Sequence, residues 1–325
     1  MNWLITGGCG FLGTSIIKRL IRQNGHSIRV IDNFTVGNLD DLGLVCEFNS
    51  IDVDECLVGY SNQRVQVVKG DILDADLALR VTHDTDVIVH LAANTGVGPS
   101  VENPRDDMQA NVIGTFNYLE AARINKCPRF VFASSGAPVG EVTPPIHEEL
   151  PPHPVSPYGA SKLAGEGYCS AYNRTFGIDT VMLRFGNVYG PGSLHKNSVV
   201  SKFIRQAMNG ETLEIFGDGS QTRDFVYIDD LVEAIILAAT TSSIGGETFQ
   251  IATNNETTVG ELAEMLVDVL MSNGIGGVQL LNTEQRLGDV QRNYSDTSKA
   301  MHKLGWEAKV RLYDGLQKTV EYFLK

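Results

Sequence analysis

The stretch TGGCGFLG, residues 6–13, joins an apolar run to a helical pattern and sets the fold class of the chain. The run before it, NWLIT at residues 2–6, is short and apolar, as expected of a buried strand. After it, apolar residues recur three or four positions apart to about residue 23, which predicts a helix. Three glycines with GxxGxxG spacing stand at this junction, where a chain must turn tightly and pack a helix close to a sheet.

The glycine loop has the composition of a phosphate-binding turn. Gly7, Gly10 and Gly13 would let a pyrophosphate approach the backbone at the amino end of the helix. A glycine-rich loop alone is also what an ordinary strand–helix turn requires. The next predicted strand, SIRVID, ends at Asp32, however, and an acid there hydrogen-bonds a ribose diol and repels a 2′-phosphate. The combination predicts a dinucleotide site that favours NAD over NADP.

Strands and helices alternate along the first half of the chain. Further apolar runs predict strands that end near Asp71, Ala92 and Ser135, with helices between them, clearest at residues 110–125. Strands that are almost wholly apolar and alternate with helices indicate a parallel sheet covered on both faces. The predicted fold class is therefore α/β, a Rossmann-type doubly wound parallel sheet with a smaller α/β lobe that binds the substrate.

The domain boundary is predicted where the strict alternation fades, after about Pro191. Residues 1–176 are expected to form the NAD-binding domain, and segments near residues 178–190 and 223–240 are expected to return to it. Residues 191–325 are expected to form mainly the substrate-binding lobe.

Composition excludes several classes of partner. The 325 residues include 26 basic and 39 acidic ones, a net charge of −13, so a broad basic face for nucleic acid is not expected. No apolar run approaches the length of a membrane span, and the first residues do not resemble a signal peptide. Five scattered cysteines without a CxxC pair suggest neither disulfides nor a metal site. Reduced thiols fit a cytoplasmic protein best.

The segment YGASK places Tyr158 and Lys162 four residues apart, on one face of a predicted helix. A free tyrosine has a pKa of about 10 and is a poor base at neutral pH, but a nearby ammonium lowers that pKa. The hydroxyl of Ser135, at a strand end, could hold the same substrate oxygen that the tyrosine deprotonates. A Tyr–Lys pair can also be ordinary helix surface. The glycine loop and Asp32 favour the catalytic interpretation.

At this point the chain resembles the extended short-chain dehydrogenase/reductase family, in particular its NAD-dependent nucleotide-sugar epimerases and dehydratases. The resemblance covers nearly the whole chain and is carried by TGGCGFLG, VIDNFTVGN, GDILD, HLAA, NVIGTFNYLEAA, FASSGAPVG, YGASK, LRFGNVYGPG, GDGSQTRDFVYIDDLVEAI and RLGDVQRNYSDTSKA. It implies a tightly held NAD, a nucleotide-diphosphate sugar as substrate, and Ser135, Tyr158 and Lys162 as the catalytic residues. It is strongest to the UDP-sugar 4-epimerases.

The resemblance also implies which residues surround the cofactor. Asp71 could contact the adenine, although a helix N-cap is an equally good interpretation of this residue. His90, in HLAA, is expected to be structural and not catalytic. The implied cofactor-binding residues are Gly7, Gly10, Phe11, Leu12, Gly13, Asp32, Asn33, Asp71, Ile72, Leu91, Ala92, Ala93, Tyr158 and Lys162.

The residues after the serine distinguish members of the family. Dehydratases of the family carry an Asp-Glu pair there, and decarboxylases carry a glutamate, but this chain has Gly136 and Ala137, which cannot move a proton. The simplest remaining chemistry is removal and return of one hydride at carbon 4 of a UDP-hexose. The following Pro138 and Val139 depart from the aromatic turn of similar epimerases, so the identity of the sugar is not determined by the resemblance. A dTDP-, GDP- or CDP-sugar epimerase, a reductase or a non-catalytic NAD-binding protein are the alternatives.

The second lobe contains residues that match the family's substrate contacts. By resemblance, Asn187, Arg223 and Arg286 would bind the diphosphate, which requires charged planar donors in an acidic protein. Phe216 could stack on a uracil or belong to the core, and Asp289 could bind a ribose or serve a turn. Arg223 could instead pair with a neighbouring acid.

Proteins of this family often form dimers through two helices of each subunit. The corresponding candidates here are residues 110–125 and 158–176. A homodimer is therefore expected, although the sequence proves neither this nor the identity of the hexose.

Overall fold

The computed structural model describes residues 1–60, 64–194, 196–284 and 290–325. Its strands are β1 Asn2–Thr6, β2 Ser27–Asp32, β3 Asn49–Ser50, β4 Val65–Lys69, β5 Val87–His90, β6 Arg129–Ser135, β7 Asp179–Phe185, β8 Asn187–Tyr189, β9 Leu213–Phe216, β10 Thr222–Arg223, β11 Phe225–Tyr227, β12 Thr248–Ile251, β13 Thr257–Thr258 and β14 Leu280–Thr283. Its α-helices are α1 Phe11–Ile21, α2 Leu39–Gly43, α3 Ala75–Val81, α4 Val97–Glu102, α5 Pro104–Met108, α6 Thr115–Ile124, α7 Pro157–Phe176, α8 Val199–Met208, α9 Ile228–Thr240, α10 Val259–Ser272, α11 Ser298–Leu304 and α12 Leu312–Phe323. A 3₁₀ helix at Val53–Val58 and a π-helical turn at Gln109–Gly114 complete the elements.

An eight-stranded sheet dominates the fold, in the order β12-β7-β6-β5-β1-β2-β4-β3. The strand pairs β5–β6, β1–β5, β1–β2, β2–β4 and β3–β4 are all parallel. Strands from the first half of the chain thus lie on both sides of β1, and helices connect them. The predicted doubly wound parallel α/β sheet is confirmed.

The chain divides into two compact units. The first comprises Met1–Glu141, Glu149–Arg184 and Val232–Phe249, and the second comprises Val142–Glu148, Phe185–Leu231 and Gln250–Lys325. The second unit contains three two-stranded sheets, in which β8 pairs with β11, β9 with β14 and β10 with β13. Its strands are short, as the loss of regular alternation along the sequence indicates.

The central strands are buried on both faces. In β1, successive side chains point to opposite faces of the sheet, yet Trp3, Leu4 and Ile5 are all fully buried. One face packs against α3, α6 and α7 in a cluster that includes Leu4 and Tyr118. A sheet covered on both sides explains why its strands read as continuous apolar runs.

Two segments differ from the sequence prediction. The helix expected at residues 110–125 begins earlier, because Pro104 occupies the first turn of α5 and the π-helical turn continues the chain into α6. For residues 36–64 the sequence pattern indicates a loop and a short helix. This segment also contains β3, which pairs with β4 and becomes the edge strand of the sheet. Two-residue strands carry no periodic signal, so this one was not predictable from the sequence.

Helix α7 has clear start and stop signals, which place Tyr158 in its first turn. The Ser156 hydroxyl accepts a hydrogen bond from the Gly159 N–H at 3.1 Å, and Pro157 is the first helical residue. At the other end Gly177 adopts a left-handed conformation with φ +73° and closes the helix. The register of the helix is therefore set at both ends, and with it the positions of Tyr158 and Lys162.

Neither a membrane-spanning helix nor a cluster of metal ligands occurs in the described ranges. No described helix combines the length and the apolar character that crossing a bilayer requires. Nor do three or more His, Cys, Asp or Glu side chains of those ranges converge on one point as metal ligands do.

Two glycines of α7 should respond oppositely to alanine. A Cβ at Gly165 would lie 2.4 Å from the ring of buried Phe132, whereas a Cβ at Gly167 would have no atom within 4 Å. We expect Gly165→Ala to lower the free energy of unfolding by about 1–3 kcal/mol through overpacking. Gly167→Ala should raise it by about 0.5–1 kcal/mol, because alanine favours the helix. Urea unfolding of both variants tests this pair, and equal effects would contradict the packing described for α7.

Candidate active site

The glycine loop between β1 and α1 has no room for side chains. A Cβ at Gly13 would lie 2.4 Å from the Cα of Gly8, and one at Gly7 would lie 3.0 Å from the Ala92 nitrogen. Gly7 also adopts φ +67°, which favours glycine. Gly10 precedes the first residue of α1, so the amino end of the helix, with its partial positive charge, lies at the loop. This is a built cradle for a phosphate group.

Asp32 ends β2 beside this loop and is held in place by the backbone. One carboxylate oxygen accepts a hydrogen bond from the Cys9 N–H at 3.0 Å, and the other accepts one from the Phe34 N–H at 2.9 Å. The carboxylate is buried, which fixes its orientation. The glycine loop, the helix end and this acid together fit the pyrophosphate and ribose of NAD.

Asn33 and Asp71 lie together at the adjoining strand ends. The Asn33 side-chain amide donates to Asp71 at 2.9 Å, and the other Asp71 oxygen accepts from the Leu73 N–H at 2.9 Å. The N-cap of α3 is Asp74, whose side chain accepts from the Leu77 N–H. Asp71 is therefore not the helix N-cap, and its contact with the adenine remains a prediction.

Four more of the cofactor residues implied by the resemblance lie at carboxyl ends of strands, whereas Phe11 and Leu12 are the first two residues of α1. Leu91 and Ala92 follow β5 and donate their N–H groups to the Thr6 hydroxyl, each at 3.1 Å. Ala93 follows them and is half-buried, and Ile72 is buried three residues after the end of β4. Ligands of open parallel sheets bind at this edge, so the placement agrees with a cofactor site.

Ser135, Tyr158 and Lys162 come together although they belong to two segments. Ser135 ends β6, and its hydroxyl accepts a hydrogen bond from the Ala137 N–H at 3.2 Å and lies close enough to Tyr158 to lower the pKa of that phenol. The Lys162 ammonium donates to the Ala133 carbonyl at 3.0 Å and lies 6.0 Å from the centre of the Tyr158 ring. A hydroxyl, a phenol and an ammonium thus lie near one another at the sheet edge, and their catalytic roles remain a prediction.

The pKa of Tyr158 is shifted by its surroundings. Burial raises it above the ordinary tyrosine value, the hydrogen bond with Ser135 opposes that rise, and Asp107 adds to it. In the protein without NAD, burial therefore outweighs the group that lowers this pKa. The lowering by Lys162 that the sequence predicts remains a prediction.

Lys162 is itself strongly affected by its surroundings. Only 3% of the residue is exposed, and burial lowers its pKa from 10.5 to about 8, although Asp107 and Glu166 both oppose the change. Its ammonium also lies 5.0 Å from the centre of the Phe132 ring, a favourable cation–π distance. The lysine can therefore carry or lose its charge near neutral pH.

A buried ion pair beneath the lysine was not found from the sequence. Glu166, four residues after Lys162, accepts two hydrogen bonds from Arg184 at 2.7 and 2.8 Å and one from the Ser134 hydroxyl at 2.6 Å. The i, i+4 spacing of Lys162 and Glu166 was a usable signal, since it places both on one helix face.

Asn111, in the π-helical turn, was also missed. Its side-chain amide donates to Asp107 at 2.9 Å, to the Ser161 hydroxyl at 3.1 Å and to the Asn94 carbonyl at 2.9 Å. The residue joins α5 to α7 beside Lys162. Its motif, NVIG, carries no warning of this role, because π-turns have no distinctive sequence pattern and are recognised from structure.

His90 has the structural role expected of it. Its two ring nitrogens bond to the hydroxyls of Thr6 at 3.0 Å and Thr115 at 3.2 Å. Burial, assisted by Lys162, lowers its pKa to about 3, so the ring stays neutral. A buried imidazole with both ring nitrogens hydrogen-bonded to threonines has no free nitrogen for proton exchange with a substrate.

The described residues predicted to bind the substrate belong to the second unit. Asn187 is exposed at the start of β8, and Phe216 is half-buried at the end of β9 with the Lys202 ammonium 5.2 Å from its ring centre. The Arg223 guanidinium donates to the carbonyls of Thr222 and Val290, both at 2.7 Å. Arg286 and Asp289 lie outside the described residues. The binding roles of all five remain predictions.

The parallel sheet, the glycine loop with Asp32 and the Ser–Tyr–Lys group define an NAD-binding enzyme of the Rossmann class. Residues 3–252 match the NAD dependent epimerase/dehydratase family, and the chain belongs to that family. The predicted resemblance and the predicted cofactor, NAD, are confirmed.

Relatives resemble the chain over almost its whole length. A UDP-glucose 4-epimerase of Mycolicibacterium smegmatis is 35% identical over 329 residues, which cover 99% of this chain and 98% of the relative. The crystal structure of UDP-glucose 4-epimerase with UDP-glucose from Thermotoga maritima has a TM-score of 0.88 at 35% identity and covers 100% of this chain and 99% of that one. UDP-glucuronic acid 4-epimerase from Bacillus cereus, solved with UDP-glucuronic acid and NAD, has a TM-score of 0.87 at 31% identity, with coverage of 100% and 99%.

Proposed function

We propose that the protein is an NAD-dependent 4-epimerase of a UDP-hexose. The observation that carries this proposal is the Ser135–Tyr158–Lys162 group at the sheet edge, with Gly136 and Ala137 directly after the serine. A Cβ placed on Gly136 would meet no atom within 4 Å, so the space beside Ser135 is open. The relatives that act on UDP-glucose and UDP-glucuronic acid support a UDP-sugar substrate.

Each catalytic residue has one task in this mechanism. Ser135 donates a hydrogen bond to the 4-oxygen of the sugar, and the Tyr158 phenolate accepts the proton of the 4-hydroxyl. When bound, oxidised NAD takes up and returns the hydride of carbon 4, and its positive ring favours the phenolate. The 4-keto sugar turns over, and Tyr158 then returns the proton to the 4-oxygen on the inverted carbon. Proton and hydride both come back, so no further acid or base is required.

Lys162 supplies the positive charge beside the phenolate. Its ammonium is buried and hydrogen-bonded to the Ala133 carbonyl, which fixes its position relative to Tyr158. A fixed charge in a site that excludes water costs little reorganisation during the reaction. Asn187, Phe216, Arg223, Arg286 and Asp289 are proposed to bind the nucleotide diphosphate part of the substrate.

Proton NMR of the purified protein with separate sugars tests the function. UDP-glucose, UDP-N-acetylglucosamine and UDP-glucuronate would each be incubated without added cofactor and then with NAD, beside a Tyr158→Phe control. Inversion at carbon 4 of one sugar establishes the reaction and the substrate together. If all three remain unchanged with NAD present, the UDP-hexose proposal fails, and dTDP-, GDP- and CDP-sugars become the next candidates.

A homodimer is part of the proposal. Five exposed apolar side chains lie on the π-helical turn, α6 and α7 and form what we term the α6–α7 patch: Ile113, Phe116, Ile124, Tyr168 and Phe176. The Phe116 ring lies edge-on to Tyr168 with the ring centres 5.6 Å apart, so the patch is continuous across the two helices. Exposed apolar patches mark protein interfaces.

The five cysteines, all present as thiols, support the further proposal of a cytoplasmic location.

A charge in the α6–α7 patch should break the dimer. We expect Phe116→Glu to sediment as a monomer and the wild-type protein as a dimer, because a carboxylate cannot be buried unpaired in an apolar interface. The matched control is Met271→Glu, an exposed apolar residue of α10, which should remain dimeric. Sedimentation velocity distinguishes the two species, and a dimeric Phe116→Glu would remove this patch as the interface.

A further inference from the structure

Asp107 is a buried acid, and within the described ranges only one of its two carboxylate oxygens is hydrogen-bonded. It lies on α5, only 2% of it is exposed, and one oxygen accepts from the Asn111 amide at 2.9 Å. The other carboxylate oxygen has no hydrogen-bond partner within the described ranges. A buried carboxylate left half-paired costs free energy, so its retention needs an explanation.

The same acid is connected to the catalytic helix. Helix α5 packs against α7, and the Asn111 amide that binds Asp107 also donates to the Ser161 hydroxyl at 3.1 Å, next to Lys162. The negative charge of Asp107 raises the pKa of both Lys162 and Tyr158. The contacts through Asn111 place this charge beside the helix that carries both groups of the proposed mechanism.

The second acid near the lysine is already neutralised. Glu166 forms a two-pronged ion pair with Arg184 and accepts a third hydrogen bond from Ser134. Asp107 has no such cationic partner among the described ion pairs. Burial lowers the pKa of Lys162. Asp107 opposes this lowering most, and Glu166 opposes it second.

We propose that Asp107 is a positioning residue whose unpaired carboxylate oxygen supplies the compensating negative charge for the buried ammonium of Lys162. The proposal rests on the function assigned to the Tyr158–Lys162 pair. Without Asp107 the buried ammonium would lose its proton more readily, because a negative charge that favours the charged form would be gone. The acid thus keeps the lysine charged at the pH at which the tyrosine must act as a base.

Other titratable and charged groups also face Lys162 and contribute to its pKa. They are the same in every Asp107 variant of the test below, so they cannot produce a difference between variants. These groups are Tyr158, Glu166 and Cys169 on α7, His90 on β5, and Arg184 on β7 through Glu166.

The test titrates Lys162 directly. The full chain is labelled with ¹³Cε-lysine, the Lys162 signal is assigned from its loss in Lys162→Arg, and its chemical shift is followed with pH. Wild-type protein should titrate at about 8, and Asp107→Asn should titrate at lower pH, because a negative charge that favours the ammonium is gone. Asp106→Asn, the exposed neighbour on the same helix, should leave the midpoint unchanged. Asp107→Glu, which keeps the charge, should titrate close to the wild-type midpoint.

A second readout separates this role from a purely structural one. The descending limb of the kcat/KM pH profile should move to lower pH in Asp107→Asn. If the Lys162 midpoint of the variant lies about one pH unit lower, the variant has about tenfold less protonated lysine than the wild type at any pH above the wild-type midpoint. A structural role predicts a lower rate with unmoved limbs. The titration needs no turnover, so it can succeed even where the UDP-hexose assignment fails.

An unchanged Lys162 midpoint in folded Asp107→Asn would overturn the proposal. Should the asparagine variant not fold, Asp107→Ser removes the same charge with a smaller side chain, and the same downward movement of the midpoint is expected. An unchanged midpoint in that variant has the same meaning. Amide spectra of each variant establish that it is folded before its lysine is compared.

Discussion

Replacing Tyr158 by phenylalanine should reduce the rate of epimerisation by about 10²–10⁴-fold, the range that a positioned general base contributes. The substitution removes only the hydroxyl that is bonded to Ser135 and keeps the half-buried ring in the first turn of α7. Fold and NAD content should therefore be those of the wild type. The measurement is the NMR rate of inversion at carbon 4, together with the NAD bound per chain.

The control for Tyr158→Phe is Tyr313→Phe, which removes a hydroxyl from an exposed tyrosine of α12 and should leave the rate unchanged. The wild-type rate should rise with the fraction of phenolate, so the ascending limb of the pH profile should vanish in Tyr158→Phe. A phenylalanine variant that retains the wild-type rate would assign the base to another group.

Replacing Glu166 by alanine should lower the free energy of unfolding by about 3–5 kcal/mol, because it leaves the Arg184 guanidinium buried without its partner. Both side chains are over nine-tenths buried, with 6% and 7% of their surface exposed, so solvent cannot replace the lost ion pair. The loss should appear as a lower urea midpoint. It should also weaken the site, since Ser134 loses its acceptor directly beside Ser135.

Two further variants serve as controls for the Glu166→Ala experiment. The double variant Glu166→Met, Arg184→Met should recover most of the lost stability, because apolar side chains of similar volume remove the unpaired charge. Glu256→Gln, which breaks the exposed pair with Arg292, should leave the unfolding midpoint unchanged. Wild-type stability of Glu166→Ala would show that the ion pair is not essential to the core beneath Lys162.

Most of the sheet was predictable because its signals are local. The strands β1, β2 and β6 have the predicted bounds, since each is an apolar run that ends at glycine, proline or polar residues. The edge strand β3 and the early start at Pro104 were not predicted. They depend on the neighbour β4 and on packing against α7, and neither appears in a window of a few residues.

The proposed catalytic group was recognisable from the sequence, but its electrostatics were not. Ser135, Tyr158 and Lys162 were recognised from motif and context, and the structure brings them together. The effect of burial on the Tyr158 pKa was not predicted, because the cost of burial depends on atoms from several elements. Asp107 was missed for the same reason, as 55 residues separate it from Lys162.

By itself the sequence determined the parallel α/β class, the glycine loop with Asp32 and the identity of the Ser–Tyr–Lys group. The fold class and the loop follow from short-range spacing: strand and helix periods, and a turn that only glycine permits. The Ser–Tyr–Lys group follows from the Tyr158–Lys162 spacing of one helical turn together with the family resemblance. Only the tertiary structure decided the charge balance around Lys162, with Glu166 neutralised by Arg184 and Asp107 left half-paired. Burial and Coulomb interactions depend on distances through space between segments far apart along the chain, and these distances exist only once the chain has folded.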